Sequence, residues 1–325
     1  MANSIELAKK YIPILDEVYQ SSSLTSILDG APELARQGAN ANELIIPKMT
    51  MDGLADYGRS SGYVNGDITV KNETVACNYD RGRIFNTDVL DNEETAGVVF
   101  SRLAGEFIRT KVVPELDAFR FATYAGTTGI SKPSAGATLA DGTAVVSALR
   151  VASNAMDEAE VPFEQRYLFI TPSLYGMVQD LDTTKSREVL AGFTQVIKVP
   201  QTRFYTAIDL KDGTTSGEEK GGFAKADGAS EINFMVIHKP AVIQYLKHVS
   251  PKIISPEVNQ NADAWKYGYR AVGIADVYEN KVSGIYMHMK EEGAKTDGNN
   301  RRKAAGSKRG AGDQRELQSD AESDG

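Results

Sequence analysis

Residues 91–124, DNEETAGVVFSRLAGEFIRTKVVPELDAFRFATY, form one long amphipathic segment around which the rest of the chain is organised. Asp91 stands three residues before Glu94, a capping-box spacing that marks a helix start. Pro114 is the one helix breaker, and because helix formers follow it directly, it predicts a kink rather than an end. Large apolar residues recur at helical spacing, with one phase shift: Ala96, Val99, Phe100, Leu103, Phe107, Val112, Val113, Leu116 and Phe119. At ~1.5 Å per residue the helix would be about 50 Å long, which indicates an extended molecule.

The composition is that of a globular protein with an acidic balance. The chain has 325 residues, of which 41% are hydrophobic, and a formal net charge of -8. This charge argues against a surface that grips nucleic acid through its phosphates, but it allows a protein that encloses nucleic acid without holding it. No apolar run approaches the ~18 residues of a membrane span, and the first residues lack a signal-peptide pattern, so a cytosol-like compartment is expected. Cys77 is the only cysteine, which excludes an internal disulfide.

The chain before the long helix predicts two extended features. Residues 1–42 contain too few apolar side chains for a domain, so they predict an arm that lies on another surface, such as a neighbouring copy. From residue 43 the apolar period becomes two, with Met49 and Met51 on one parity. A second alternating run follows a glycine-rich tip, so residues 43–88 predict a long hairpin. Because a two-stranded hairpin is marginal alone, its partner is expected to be another chain.

The chain after the long helix alternates between helical and extended patterns, and it begins with a glycine- and alanine-rich linker at 127–142. The predicted elements are, in order, a helix ending near 161, a strand at 167–170, a helix at 172–181, a strand at 194–199, a polar surface loop at 209–230, a strand at 231–237, a helix from 239 over 246, and a closing hairpin over 265–289. Residues 291–325 carry Leu317 as their only large apolar side chain, so they cannot bury enough surface to fold.

Candidate catalytic and ligand-binding residues are few. They are three histidines, an acidic group, one thiol and a basic block: His238, His248 and His288; Asp157, Glu158 and Glu160; Cys77; and 301–309. The histidines show no metal-binding or catalytic spacing, and His248 is interpreted as lying at a helix C-terminus, where a cationic imidazole suits the dipole. The acids are interpreted as a solvated helix end, and the thiol as buried. The basic block has no aromatic residue for base stacking, so any nucleic-acid contact there would be weak and sequence-blind. No catalytic residue, cofactor site or metal site is therefore predicted.

Five phrases in this sequence occur in an order and spacing that is specific as a set. They are VVPELDAFRF (112–121), DEAEVP (157–162) leading to RYLFITP (166–172), VPQTRF (199–204), HKPAV (238–242) and SPEVNQNADAW (255–265). Together they closely resemble major capsid proteins of tailed bacteriophages, which have the Hong Kong 97-like fold. The resemblance runs from about residue 43 to residue 290.

The resemblance implies an α+β fold with the parts of that family. The implied divisions are an N-arm at 1–42, an extended β-hairpin or E-loop at 43–90, a peripheral domain at 91–139 and 249–290 that contains the long spine helix, and an axial domain at 140–248. The composition adds a disordered polar tail at 291–325. The apolar stripe of the spine helix is expected to face the closing strands at 265–289. The tail has no counterpart in the family pattern.

The resemblance also implies what the protein does and what it meets. Subunits of that family self-assemble through pentamers and hexamers into an icosahedral head around double-stranded DNA, and they have no catalytic site. The implied partners are other copies of the chain, portal and scaffolding proteins, and DNA in weak non-specific contact, with no membrane. Assembly in the host bacterial cytoplasm and residence in the virion are expected. An encapsulin, a nanocompartment shell protein of the same fold, is the alternative.

Overall fold

The computed structural model describes residues 23–30, 36–37, 43–89, 104–133 and 135–291. The strands are β1 (Arg36–Gln37), β2 (Glu43–Met51), β3 (Ile68–Ala76), β4 (Tyr79–Asp88), β5 (Arg166–Ile170), β6 (Gln195–Lys198), β7 (Ile208–Leu210), β8 (Phe223–Lys225), β9 (Ile232–His238), β10 (Val242–Ile254), β11 (Ala264–Val277) and β12 (Ile285–Met289). The α-helices are α1 (Val113–Gly126), α2 (Gly142–Glu158), α3 (Pro172–Leu181) and α4 (Thr184–Ala191). The strands form sheets in the orders β1-β2-β3, β10-β11-β4 and β12-β9-β5-β6, and a hairpin of β7 and β8.

The predicted long helix is confirmed over its described part. Residues 104–107 are α-helical, Ile108–Val112 is a π-helical segment, and α1 continues without a break to Gly126. The irregularity expected at Pro114 therefore takes the form of a π segment just before it. This segment contains Thr110, whose carbonyl group a proline four residues later would otherwise meet. The predicted start at Asp91 lies outside the described residues.

The predicted hairpin is confirmed as β2 and β3, which pair antiparallel from Glu43 opposite Ala76 to Met51 opposite Ile68. The second predicted run, however, divides into β3 and β4, and β4 pairs with β11 instead. Asn78 lies at the break between β3 and β4. Its side-chain amide makes the two hydrogen bonds to β11 that the backbone of a strand residue would otherwise make. Its Nδ2 donates to the Ala275 carbonyl oxygen at 2.7 Å, and its Oδ1 accepts from the Ala275 amide at 3.1 Å.

Two predictions for the last third of the chain are wrong. The helix expected from Lys239 is only a 3₁₀ turn, Lys239–Ala241, and β10 follows it directly. The closing hairpin is also absent from the described residues, since β11 and β12 lie in different sheets. Both edges of β11 are already occupied, one by β10 and the other by β4. Because β11 has no free edge, β12 pairs antiparallel with the edge of β9 instead.

The four-stranded sheet β12-β9-β5-β6 is the centre of the core. Its strand β5 is buried throughout and alternates between two apolar clusters. Leu168 and Ile170 pack against α2 and α3, whereas Phe169 packs against Phe121 of α1 with ring centroids 5.2 Å apart. The predicted strand and both predicted helices are confirmed here. The sheet is therefore covered on both faces, by α2 and α3 on one and by α1 on the other.

The long helix faces the strands that the sequence predicted. On the sheet β10-β11-β4, the helix residues Ile108, Val112 and Leu116 pack against Tyr267 and Tyr269 of β11. The later turns of the helix share a cluster with β12 residues of the four-stranded sheet. One helix thus packs against both the sheet β10-β11-β4 and the sheet β12-β9-β5-β6.

Candidate assembly surfaces

The hairpin of β2 and β3 exposes apolar side chains that no described part of its own chain covers. Each of these side chains is at least 57% exposed: Met49, Met51, Leu54, Tyr57, Tyr63, Val64, Ile68 and Val70. We call these eight residues the hairpin surface. In the strand register Met49 lies opposite Val70 and Met51 lies opposite Ile68, so these four residues share one face of the ribbon. A patch of this size on one element indicates an interaction surface.

The tip of the hairpin is ordered by backbone hydrogen bonds and by a contact between two aromatic rings. Gly58 and Gly62 exchange two backbone hydrogen bonds, of 3.2 and 2.7 Å. The rings of Tyr57 and Tyr63 flank this bridge with centroids 4.9 Å apart. Gly62 has a φ of 80°, which a residue with a side chain rarely adopts. The apolar tip residues are therefore displayed in defined positions.

Within the described residues, the hairpin contacts the rest of the chain near the strand ends farthest from its tip, where β1 also pairs with Leu44 and Ile45 of β2. Val75 of β3 is 6% exposed and packs with Ile243 of β10 and Ile274 of β11. Cys77 packs partly buried against the same cluster, in keeping with a structural thiol. The hairpin surface itself is exposed within the described part of the chain and is therefore available to a partner.

A second feature is a clip between residues 23–29 and the long helix. Asp117 of α1 is fully buried, and its carboxylate accepts from Ser23 Oγ at 2.9 Å and from Thr25 Oγ1 at 2.6 Å. It also accepts from the Leu24 amide at 3.1 Å and from Arg203 Nη1 at 3.2 Å. The buried carboxylate is thus compensated by donors from two separate parts of the chain, the segment 23–25 and Arg203.

Arg120, one turn further along α1, completes the clip from the same side. Its Nη1 donates to Thr25 Oγ1 at 2.8 Å, and its Nη2 donates to Asp29 Oδ1 at 3.2 Å. Gln244 of β10 donates to the Thr25 carbonyl oxygen and to Asp29 Oδ1, both at 2.6 Å. Burial raises the pKa of Asp29, although Arg120 opposes that shift. Residues 23–30 of the predicted arm therefore contact the long helix and β10 of their own chain.

The predicted surface loop 209–230 is a short hairpin held against β4. Arg81 of β4 donates from Nε to Glu115 Oε1 at 2.8 Å and from Nη2 to the Lys211 carbonyl oxygen at 2.8 Å. Arg83 donates from Nη2 to the Glu219 carbonyl oxygen at 2.8 Å. Two arginines of one strand therefore fasten this glycine-rich loop to the body of the subunit.

The structure describes the side chains of two of the three histidines singled out in the sequence, His238 and His288. His288 of β12 stacks on Phe234, and its Nδ1 faces Asn233 Nδ2 at 3.1 Å. Because Asn233 also donates to the Ala137 carbonyl oxygen, its amide nitrogen is the donor and His288 Nδ1 is the acceptor. Burial lowers the pKa of both His288 and His238. His248 lies inside β10, so its interpretation as a helix C-terminal residue is wrong.

The acidic group lies at the C-terminal end of α2 and just beyond it. Asp157 pairs with Nη1 of buried Arg166 at 2.8 Å, and Glu158 and Glu160 are exposed. Within the described ranges no three histidine, cysteine, aspartate or glutamate side chains are grouped so that they could hold a metal ion. None of the described helices combines the length and apolar character needed to cross a membrane. The basic block 301–309 lies outside the described residues.

The chain is similar to known proteins in its fold, although no match is found for its sequence. No protein-family model and no curated protein matches the chain in sequence. A structure of Gordonia phage Cozz is similar with a TM-score of 0.54 and 11% identity, over 84% of this chain and 87% of that one. The capsid structure of cyanophage P-SCSP1u gives a TM-score of 0.51 and 13% identity, over 79% and 86%. A virus-like particle from Pyrococcus furiosus gives 0.50 and 10%, over 86% and 99%.

These similarities establish the fold. The chain has the mixed helix and sheet fold of phage capsid subunits, as the five sequence phrases predicted. The shares of both chains that are covered show that the likeness extends over most of the subunit rather than over one motif.

Proposed function

We propose that this chain is a major capsid protein that self-assembles into the icosahedral head enclosing the double-stranded DNA of a tailed bacteriophage. The observation that carries the proposal is the hairpin surface, displayed on a phage-capsid fold. A monomer gains nothing from eight exposed apolar residues on one hairpin, whereas a shell subunit can cover them with a neighbour.

Burial of the hairpin surface against a neighbouring subunit would contribute favourable free energy to assembly. At about 25 cal/mol per Å² of apolar area, covering eight large apolar side chains contributes on the order of 10 kcal/mol before the cost of association. Each subunit of a shell gives one such hairpin and receives another, so this contribution recurs at every position.

The parts of the subunit take the roles that the family resemblance implies. In the proposal, residues 43–90 are the E-loop, the helix through α1 is the spine, and 140–248 form the axial domain. The peripheral domain comprises 91–139 and 249–290, with β12 as the strand that carries its end into the sheet of β5, β6 and β9. The N-arm covers 1–42 with its clip on α1, and 291–325 remain a polar tail.

The proposed protein is structural rather than enzymatic. His288 stacks on Phe234 and accepts a hydrogen bond from Asn233, and Asp157 pairs with Arg166, which supports structural roles for these two side chains. The net charge of -8 suits a wall that surrounds DNA without binding it tightly. Portal and scaffolding proteins are proposed as further partners, and the assembled virion as the final location, after assembly in the host cytoplasm.

The test is assembly of the purified chain, followed by electron microscopy and sedimentation. We expect rings or shells from the unaltered chain, and folded but unassembled subunits from a Leu54→Ser, Tyr63→Ser double variant. Arg59→Ser, at the same tip, is the matched control and should assemble normally, because it removes no apolar area. The proposal fails if the unaltered chain stays monomeric under every assembly condition, or if the double variant assembles at the yield of the control.

The encapsulin-type shell remains the second candidate, because the fold is also similar to that of the virus-like particle from Pyrococcus furiosus. The two candidates differ in what the particle contains. Particles recovered from the producing cell should hold double-stranded DNA if the chain is a phage capsid protein. A single enclosed enzyme in place of DNA would favour the nanocompartment.

A further inference from the structure

The loop between α2 and β5, residues 160–165, displays an aromatic side chain in a strained backbone. Phe163 is 71% exposed. The loop is bounded by Glu160 with a φ of 56° and Gln165 with a φ of 61°. Left-handed backbone costs roughly 1–2 kcal/mol for a residue other than glycine. Such strain persists only where surrounding contacts determine it, and it concentrates at functional positions.

Arg166 is the contact that fixes this loop. It is 3% exposed, and its guanidinium group donates to the carbonyl oxygens of Val161 and Pro162, the latter at 2.9 Å. It also pairs with Asp157 at 2.8 Å. Its Cζ lies 5.7 Å from the centroid of the Phe163 ring. A buried, fully engaged arginine therefore supports one side of the ring, while most of the ring faces solvent.

The same subunit carries an apolar pocket elsewhere on its surface. The pocket has a volume of about 580 Å³ and lies between the segment 129–133, α2 and β12. Its apolar walls include Ile130, Pro133, Ala148, Val151 and Ala155, of which Val151 is 55% exposed.

The charges around the two features are complementary. The Phe163 loop carries exposed Glu160 and Glu164 and, apart from the buried Arg166 that follows it, no basic residue. The pocket includes exposed Lys132 in its lining, with no carboxylate among the lining residues. An acidic collar around an aromatic ring fits a pocket with apolar walls and a basic edge.

We propose that Phe163 of one copy of this chain inserts into this pocket of the next copy. A projecting group and a pocket on different parts of one chain make a head-to-tail contact, and repetition of that contact closes a ring when the rotation permits. A buried aromatic anchor in an apolar pocket is the usual centre of binding energy at an interface. The inference rests on the proposed function, and it names the contact that joins subunits within a ring.

Disulfide trapping tests the contact directly. Particles are assembled from equal amounts of a Phe163→Cys chain and a Val151→Cys chain, and then oxidised. We expect linked dimers on a non-reducing gel, at least tenfold more than from Phe163→Cys mixed with Arg150→Cys. Arg150 is exposed on the same helix and does not line the pocket, so it is the matched control. The unaltered chain, which has only Cys77, should give none.

A second measurement removes the aromatic ring of the loop. Phe163→Ala should raise the concentration needed for assembly at least tenfold without lowering the melting temperature of the subunit. Glu158→Ala, at an exposed position of α2 outside the loop, should change that concentration much less. If particles form but the two cysteine mixtures link equally, or Phe163→Ala assembles like the unaltered chain, this contact is wrong and the capsid function stands. If the unaltered chain never assembles, the contact and the proposed function fall together.

Discussion

Asp117 and Arg120 are the most completely buried charged side chains of the described helix α1, at 0% and 1% exposure. Each lies one turn from large apolar residues that pack into the core. They are tolerated there because the clip residues 23–29 and Arg203 supply opposite charge and hydrogen bonds. A buried charge whose partners are kept is stable, but the loss of one partner leaves the other uncompensated.

Asp117→Asn is therefore expected to lower the free energy of unfolding of the subunit by about 3 kcal/mol. The amide places a donor where the native site already holds donors from Ser23, Thr25 and Arg203. The melting temperature should fall by roughly 6 °C, measured by calorimetry on unassembled subunits.

The control for this substitution is Asp182→Asn. Asp182 pairs with Arg187 in an exposed ion pair, and asparagine tolerates its left-handed backbone at φ 39°. The change in stability should stay within about 0.5 kcal/mol. Equal effects at the two positions would show that the clip does not stabilise the fold.

His288 predicts a pH dependence of stability. Burial lowers its folded-state pKa below the unfolded value of about 6.5, so folding favours the neutral ring. Its contribution is complete above about pH 6.5 and is lost as pH falls through the lowered folded pKa. Protonation would also place an N–H opposite the Asn233 amide group.

His288→Gln should reduce the loss of melting temperature between pH 7.5 and pH 5, because glutamine keeps a hydrogen-bond acceptor and does not titrate. His238, whose pKa burial also lowers, is present in both proteins and cancels in the comparison. Identical pH profiles for the two proteins would rule out His288 as a source of acid sensitivity.

At the scale of elements, the hairpin of β7 and β8 depends on β4. Arg81 binds both Glu115 and the loop carbonyl oxygens of Lys211 and Gly222. Arg81→Met keeps much of the side-chain length but removes these hydrogen bonds, each worth about 1.5–3 kcal/mol when charged. Trypsin cleavage after Lys220 should become at least tenfold faster.

Arg270→Met is the matched control for that proteolysis. Arg270 also pairs with a β4 carboxylate, that of Asp80 at 2.6 Å, but both side chains of this pair are exposed. Its cleavage rate after Lys220 should match that of the unaltered chain. Faster cleavage in both variants would place the effect on the sheet rather than on the loop.

The sequence pattern predicted the elements with a clear period or a short apolar run. The helices over 142–158 and 172–181 bury one face, β2 follows the period of two, and β5 and β9 are short apolar runs that are buried on both faces. The segment 242–254 was misread because its apolar residues fit both a helical and an extended pattern over the first turn. The start of β10 as a strand is set by pairing with β11, a contact that no local pattern contains. Helix α4 falls in a stretch to which no element had been assigned.

At the scale of the whole molecule, the hairpin surface predicts a difference between free and assembled subunits. Residues 53–57 and 63–66 lie outside strands, and their apolar side chains are exposed. Amide hydrogens of this tip should exchange rapidly in the free subunit and at least tenfold more slowly in the particle, measured by mass spectrometry. Peptides from β5, which is buried in the subunit itself, should exchange alike in both states. Equal exchange of the tip in both states would contradict its role in assembly.

The fold as a whole was predictable from the ordered sequence phrases, but the candidate surfaces were only partly so. The alternation of Met49 and Met51 predicted an apolar hairpin face, which the structure confirms as exposed. Neither the clip nor the Phe163 loop was predicted. The clip joins residues about ninety positions apart, and the strain at Glu160 and Gln165 has no sequence signature, because glycine is the residue expected there.

The clip also has a consequence for the order of events during synthesis on the ribosome. Ser23 and Thr25 leave the ribosome well before Asp117, which follows Ser23 by 94 positions, and Arg203 emerges a further 86 positions later. Residues 23–25 therefore cannot make these hydrogen bonds until α1 has been synthesised, and Asp117 of α1 has its full set of donors only after Arg203 has been synthesised. A nascent chain that stops before Arg203 lacks one donor to the buried Asp117 carboxylate, and one that stops before Gln244 also lacks the amide donor to the Asp29 carboxylate and the Thr25 carbonyl oxygen. Only subunits translated past that point can close the clip, so interrupted chains should be held back from a growing shell.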